Sequence, residues 1–532
     1  MVEFKKYVYF FEEGSKDMKN LLGGKGAGLA EMTRIGLKTP PGFTITTEAC
    51  NYFFVNGKLP DGLWERTVES MHELERRTGR TFGGGPKILL VSVRSGAPVS
   101  MPGMMDTVLN LGLNENNVQI LASETSNLRF AWDSYRRFVQ MFGRIVLGIE
   151  ADNFEKVIAD VKGKKGIKND YELTHEDWQV IVKQFKKLIS DKGKEIPDDP
   201  YKQLEMAIEA VFGSWKNERA VIYRKINRIP DSLGTAVSIV TMVYGNTGPK
   251  SATGVAFTRN PNTGEKKIYG EYLINAQGED VVAGIRTPSP VEKLKEEIPE
   301  AYKELIRSAE ILENHYKDAQ DIEFTIQDGV FYLLQTRSAK RSAYAAVKIA
   351  LDMLREGKVS EGRAVNMVEP EQLNQLLHPQ VDIKQAGNPI AKGMPASPGA
   401  GSGKIVLTPD EAVKLNHKGE KVILVRNETL ADDVHGIAVS EAVLTARGGM
   451  TSHAAVVARA MGKPAIVGSE DVKIDLQTKK ISFKDKILQE YDEITVDGTT
   501  GQVFLGKVPL VIPELGNDFQ DFMMLCKSVK RL

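Results

Sequence analysis

Apolar residues recur along this chain with two periods, and the changes of period divide it. Over about 113–230 the spacing is three to four residues. RFAWDSYRRFVQMFGRIVLGI (129–149) and WQVIVKQFKKLISDKG (178–193) each carry the stripe of an amphipathic helix. On either side the apolar runs shorten and glycines break them. AVSIVTMVYG (236–245), GVAFTRN (254–260) and IYGEYLINAQGED (268–280) read as strands, a helical stretch covers about 289–318, and a hairpin fills 321–337. Residues 1–340 therefore read as one α+β unit with a helical insertion over about 113–230. Residues 341–388 turn helical again without dense glycine, as a connecting arm does. ASPGAGSGKIVL (396–407) opens a second glycine-rich β unit, expected over 389–508 and running through KVILVRNE to EITVDGTTGQVFLG (493–506). Residues 509–532 pair an apolar strand with a helix, and are expected to begin a linker to a further domain.

The most specific stretch is TARGGMTSHAAVVARAMGKPAIVG, at 445–468. Ala442, Val443 and Leu444 before it read as a short buried strand. Arg447, Gly448 and Gly449 read as a loop that glycine permits at low cost. Thr451 or Ser452 is placed to cap a helix through Ala454 to Met461, which Gly462 and Pro464 stop. His453 then stands in the first turn, where free backbone N–H groups and the positive dipole end gather. A phosphoryl group on that imidazole would meet a ready anion site. Position alone makes few such histidines phosphate carriers, but the whole string is specific. It resembles the phosphohistidine domain of the dikinase family, in which TSHAAVVAR carries the phosphorylated histidine. VRNETLADDVHGI (425–437), with Arg426, matches the same domain.

A phosphate source can be sought upstream. GGKGAGLAEM (23–32) is a glycine loop before a helical start, without the Walker A spacing, and Lys25 adds a cation. In VSVRSGAPVSMPGMMDTVLNLG (91–112), Arg94 ends an apolar strand with a planar fork suited to phosphate, and Ser95, Gly96 and Gly103 free backbone N–H groups. Together these segments resemble the amino-terminal nucleotide domain of the pyruvate phosphate dikinase family, an ATP-grasp fold. DSYRRF (133–138), GVAFTRNPNTGE (254–265) and MVYGNTG (242–248) match it too, the last as a lid over the phosphates. In the hairpin DIEFTIQDGVFYLLQTRS (321–338), a two-residue Asp328-Gly329 turn would put Glu323 and Gln335 on opposite faces. A three-residue loop, 328–330, pairs Glu323 with Gln335 and Asp321 with Arg337. It also gathers Ile322, Phe324, Ile326, Tyr332 and Leu334 on the other face, and that segregation favours it. Acids beside an arginine suit magnesium and ATP.

The resemblance implies a multi-domain chain of α+β and α/β type: an ATP-grasp nucleotide-binding domain with the helical insertion, then a swivelling β/α phosphohistidine domain. It implies His453 as the phosphorylated residue, with Gly449, Thr451 and Ser452 around it. It implies ATP and phosphate contacts at Lys25, Arg94, Gly103, Thr107, Arg137 (inseparable from Arg136 by sequence), Gln277, Glu279, Glu323, Gln335 and Arg337. Magnesium is expected at Glu323, Gln335 and Asp321. The implied reaction has ATP pyrophosphorylate His453 with release of AMP, after which inorganic phosphate takes the outer phosphoryl as pyrophosphate. The phosphohistidine then serves pyruvate or phosphoenolpyruvate on the family's C-terminal β/α barrel, expected here to be missing or supplied separately. A water dikinase of the phosphoenolpyruvate synthase kind is the alternative, and SGAPVSMPGMMDTVLNLG argues against it. A non-catalytic phosphoacceptor or regulatory relative is a further alternative, and the retained ATP-site residues argue against that.

Composition adds limits. Lys plus Arg and Asp plus Glu are both 70 in 532 residues, so bulk charge suggests neither a nucleic-acid nor a membrane partner. The two cysteines, Cys50 and Cys526, suggest no disulfide framework. With no apolar run of signal-peptide or membrane-span type, a cytoplasmic enzyme is expected. Phosphorylation of Thr451 would act as an off switch by like-charge repulsion. Thr451→Asp should therefore take up no label from ATP in a quenched assay, and labelling at the wild-type rate would contradict this.

Overall fold

Alternating apolar runs build one antiparallel sheet at the start of the chain. Its strands lie in the order Val8–Phe10, Gly42–Ile45, Ala236–Thr241, Val91–Gly96 and Thr107–Leu111. Phe43, Ile45, Val91, Val93 and Ile239 are fully buried, because strands in mid-sheet put both faces against packed elements. In this computed structural model all residues are described except 1–4, 102, 168, 279–287, 376–379, 383–384, 431–432, 451, 485, 512–515 and 531–532. The sheet belongs to the first of two compact units, Met1–Thr247 with Tyr332–Gln335; the second is Gly248–Phe331 with Thr336–Leu532.

Over about 113–230 the first unit carries the helices Val118–Thr125, Leu128–Met141, Ala151–Lys165, His175–Asp191, Pro200–Gly213 and Glu218–Ile226. Side-chain caps set three of these starts, one of them Asp199, which accepts from Tyr201 N at 3.0 Å. The Asn127 side chain accepts from Phe130 N at 3.0 Å, and Thr174 and Asp177 form a capping box. The apolar stripes meet around Phe142, Phe154, Trp178 and Phe185. The 129–149 stretch is not one α-helix. It passes at Phe142–Val146 into a wider π turn, where Gly143 lies against the Phe154 ring.

The glycine run at 23–26 differs from the expected loop. It lies inside the helical segment Lys19–Arg34, which bends at Gly23 (φ 67°, ψ 169°). A Cβ at Gly23 would sit 1.7 Å from the Gly96 carbonyl oxygen, so only glycine fits the bend and the close approach together. Gly24 N donates to Ala97 O at 2.8 Å, fastening the bend to the end of the Arg94 strand. The 242–248 segment is likewise no loose lid at Tyr244, which is buried against Phe130 and donates to Asn110 Oδ1 at 3.1 Å.

Two further main sheets follow, built largely from the second unit. One orders Ser289–Pro290, Tyr269–Ile274, Ala252–Phe257, Gln320–Gln327 and Val330–Ser338. Its hairpin departs from the expected register. Asp328 (φ 51°) and Gly329 (φ 83°) form a two-residue turn with both φ positive, the type that follows strand twist best. Phe324 then stacks on Phe331 at 5.4 Å, and the buried residues of the second strand are Phe331 and Leu333, not Tyr332 and Leu334. Ala339 N donates to Ala319 O at 2.8 Å, a pairing displaced by one residue from that turn's register, so the ladder is irregular in between.

The other sheet has eight strands. Ala400–Val406, Val422–Arg426, Ala442–Thr445 and Ala465–Val467 run parallel at its centre, and antiparallel strands flank them. Helices Pro409–Asn416, Val434–Val439 and His453–Met461 connect the parallel strands, as βαβ crossovers require. Helices Ala343–Arg355 and Asn517–Val529 pack together through a cluster that includes Val347, Ile349 and Phe522. No helix among the described residues is long and apolar enough to cross a membrane. Gly23→Ala should destabilise the first unit by at least about 2 kcal/mol, since it combines a left-handed φ with a backbone clash. Chemical denaturation checks this, and an unchanged midpoint would contradict it.

Candidate active site

Ligands of open α/β sheets bind beyond the carboxyl ends of parallel strands, and His453 stands there. Arg426 and Thr445 are register partners at the ends of neighbouring parallel strands. The loops that leave them run side by side: Ala446 N donates to Arg426 O at 3.0 Å and Arg447 N to Asn427 O at 2.8 Å. The helix His453–Met461 then starts with Ser452 at its N-cap. Ser452 has cap-like backbone angles, but its hydroxyl makes no capping bond, contrary to one of the two expected caps. Thr451, the other, lies outside the described residues, as does Glu279.

Four polar atoms in these two loops and at the helix start are buried with no hydrogen-bond partner among the described residues. They are His453 Nε2, Ser452 Oγ, Thr429 Oγ1 and Arg426 Nε. Buried polar atoms are ordinarily satisfied, and each lapse costs about 1–3 kcal/mol. A phosphoryl group on Nε2 would supply acceptor oxygens for hydroxyl and guanidinium donors of this kind. Asp433, also buried, accepts from Leu430 N at 2.9 Å and lies 3.5 Å from Arg426 Nη2. Burial pulls the His453 pKa below its ordinary value, and the Asp433 charge partly restores it. The imidazole is therefore neutral and nucleophilic at neutral pH.

Two neighbours hold the loop before His453. A Cβ on Gly449 would sit 2.1 Å from Glu271 Oε2, so glycine is required there for space, and Met450 N donates to Glu271 Oε1 at 3.4 Å. From within the helix, Arg459 reaches back to Met450 O. Thr429, Asp433, Glu271 and Arg459 were not singled out by sequence reasoning. Thr429, Asp433 and Arg459 lie inside the motif strings, where a polar residue destined for burial was the available signal. Glu271 carried none, because only the fold brings its strand to this loop.

On the hairpin, Arg337 Nη2 lies 2.6 Å from Glu323 Oε1 and 3.2 Å from Asp321 Oδ2, so the expected grouping of two acids with an arginine is present despite the different turn. Burial pushes the Asp321 carboxyl up to about 6, against the pull of Arg337 and with a further push from Glu323. Asp321 Oδ1 is buried without a partner among the described residues. Two carboxylates with an unfilled oxygen suit a hard cation that keeps most of its shell as water and phosphate. Gln335 belongs to the first unit, and Gln277 is buried just beyond the strand Tyr269–Ile274.

In the first unit the sheet brings together Lys25, Arg94 and Thr107. Arg94 and Thr107 are register partners, and a Cβ on Gly96 would lie 3.4 Å from Lys25 Cβ. Arg94 Nε donates to Ser92 Oγ at 3.0 Å. Gly103 is exposed in the following loop, with φ 70°. The two adjacent arginines now separate. Arg136 is buried, stacks 4.5 Å over Trp178 and bonds Gln140, whereas Arg137 is partly exposed and bonds Asp133 Oδ2 at 3.1 Å.

The chain matches two family models. One, described as pyruvate phosphate dikinase, AMP/ATP-binding domain, covers residues 19–75, 53–300 and 290–358. The other, described as PEP-utilising enzyme, mobile domain, covers 418–501 and so includes His453. The class is thus a multi-domain α+β chain that joins an AMP/ATP-binding domain to the mobile domain of PEP-utilising enzymes. The chain belongs to the pyruvate phosphate dikinase family. It is 52% identical over 524 residues to pyruvate, phosphate dikinase 1, chloroplastic, of Arabidopsis thaliana, covering 98% of this chain and 54% of that protein. It is 49% identical over 545 residues to pyruvate, phosphate dikinase of Rhizobium meliloti (strain 1021), covering 99% and 61%. Pyruvate, phosphate dikinase 2 of Zea mays is 50% identical over 524 residues, at 98% and 59%. The chain spans little more than half the length of these relatives.

The burial of His453 carries a pH consequence. Because its folded pKa is lowered, the imidazole stays neutral below the ordinary 6.5, and stability is lost as pH falls through that value. Asp433→Asn removes the one charge that opposes burial, so the His453 midpoint in an NMR titration should fall further. A rise would contradict the assignment.

Proposed function

We propose that this chain carries out the ATP and phosphate half of the pyruvate phosphate dikinase reaction, with His453 as the carrier. The observation that carries the reading is the unpartnered Nε2 of a neutral, half-buried imidazole, placed with unpaired hydroxyl and guanidinium donors at the mouth of a helix. In domain terms, residues 1–340 are the ATP-grasp nucleotide domain, 341–388 a helical arm, 389–508 a swivelling phosphohistidine domain and 509–532 the start of a linker. The setting is cytoplasmic.

His453 Nε2 attacks the β-phosphorus of ATP. The bond from that phosphorus to the oxygen bridging to the α-phosphate breaks, and AMP leaves with the electron pair. An oxygen of inorganic phosphate then attacks the terminal phosphorus, so pyrophosphate departs and a phosphohistidine remains. Lys25, Arg94, Arg137 and Arg337 oppose the charge that spreads over the phosphoryl oxygens in each step. Gly103, Thr107, Gln277, Glu279 and Gln335 complete the nucleotide and phosphate contacts. Arg426, Thr429, Ser452, Thr451 and the helix-start amides receive the phosphoryl on Nε2. Asp321, Glu323 and Gln335 are the residues that would hold magnesium, which would supply neutralisation of the polyphosphate charge. Transfer between the phosphohistidine and pyruvate or phosphoenolpyruvate belongs to a barrel domain, in the same or a separate chain. Identity of 49–52% to phosphate-using dikinases favours this reading over a water dikinase.

Incubation with β-labelled ATP, magnesium and phosphate tests the reading. Acid-labile, base-stable label should appear on Nε2 of His453 and be absent in His453→Ala. Wild-type protein that takes up no label would overturn it.

A further inference from the structure

The helix that starts at His453 buries one face, made of Ala454, Ala455, Ala458 and Arg459. Small side chains on that face leave room for a long one. Helical side chains also lean toward the N-terminus, so Arg459 runs back along the helix toward its start. Its Nη2 donates to the carbonyl of Met450, nine residues earlier in the chain. The arginine is 2% exposed, and among the described residues its hydrogen bonds go to backbone carbonyls and not to a carboxylate.

The second of those bonds meets an irregularity in the sheet. Strand Met394–Ser397 pairs with Ala465–Val467, but the register shifts between Pro395 and Ser397, so Ala396 is left out of the ladder as a bulge. Ala396 is fully buried, and its carbonyl needs a donor that the neighbouring strand does not supply. Arg459 Nε donates to it at 2.8 Å. One planar fork therefore joins a carbonyl on a bulged strand to a carbonyl in the loop before His453. The five donors of a guanidinium, fixed in one plane, suit this better than the point charge of an ammonium. The Phe257 ring covers the group, 5.7 Å from Cζ. Burial lowers its pKa to about 10, against the pull of Tyr269, Asp321 and Glu271, so it is charged at neutral pH.

Met450 lies in a turn closed by Ser452 N donating to Gly449 O at 3.0 Å. Ser452 is the N-cap, and its carbonyl accepts from Val456 N at 3.0 Å. A hold on Met450 O is thus a hold on the turn, on the N-cap and on His453, the first helical residue.

We propose that Arg459 is a positioning residue for phosphoryl transfer: by clamping the Met450 carbonyl to the bulge at Ala396, it keeps His453 Nε2 on the line of attack at phosphorus. The inference rests on the carrier role of His453 proposed above. Misplacing a nucleophile slows the chemical step without weakening ground-state binding, so loss of the clamp should lower the transfer rate and leave nucleotide affinity alone.

The test follows single-turnover labelling of the full chain from β-labelled ATP, with magnesium, over a range of ATP concentrations. Arg459→Met keeps an apolar stem and loses both donors, and should label at least about tenfold more slowly at saturating ATP, with half-saturation within about twofold of wild type. Arg459→Lys keeps the charge without the fork and should fall between the two. Circular dichroism reports whether Arg459→Met folds; if it does not, Arg459→Lys decides, and labelling slowed at least about threefold at unchanged half-saturation is the expected result. Wild-type rates in the folded variants would overturn the inference, as would weaker ATP binding that accounts for the whole loss of rate. Wild-type protein that takes up no label would overturn the carrier reading and this inference with it, whereas labelled wild type beside unaffected variants would overturn this inference alone.

Discussion

An imidazole taken out of water with one nitrogen unpaired costs free energy, and the surroundings of His453 make sense only with that cost in view. Burial keeps the ring neutral, which a nucleophile needs, and Asp433 limits how far the pKa falls. The unpaired Nε2, with the hydroxyls of Ser452 and Thr429 and the Arg426 Nε, is an unsatisfied set that a phosphoryl group would complete. The free chain thus leaves these groups short of hydrogen bonds that an incoming phosphoryl group would supply.

The rest of the second unit serves this placement. Four parallel strands bring two loops side by side at their carboxyl ends, and the helix after the third begins at His453. Glu271 excludes any side chain at Gly449 and accepts from Met450 N, while Arg459 holds Met450 O from the other side. The loop is therefore gripped at one residue by an acid on its N–H and a guanidinium on its carbonyl.

Much of this was legible in the amino-acid pattern. The helical insertion, the strand before the glycine loop, the helix from His453 to Met461 and its stop at Gly462 follow from period and glycine placement. The hairpin turn was not, because two registers differ by one residue and face segregation points to one while turn chemistry points to the other. The Asp328-Gly329 pair takes the tight turn, and a later irregularity still lets Arg337 reach both acids. The run at 23–26 looked like an open loop because spacing cannot show that Gly96 would collide with a Cβ at Gly23. Glu271 and Thr429 were invisible for a similar reason: their importance lies in long-range packing and in an unmet hydrogen bond, neither of which leaves a local pattern.

In the proposed reaction ATP divides at His453, its β-phosphorus staying and its γ-phosphorus leaving with inorganic phosphate. Parallel single turnovers with β-labelled and γ-labelled ATP, in the presence of magnesium and phosphate, measure this directly. β-label should be retained on the protein and γ-label recovered in pyrophosphate. Retention of γ-label on the protein after phosphate is added, with the β-label released as ADP, would contradict it.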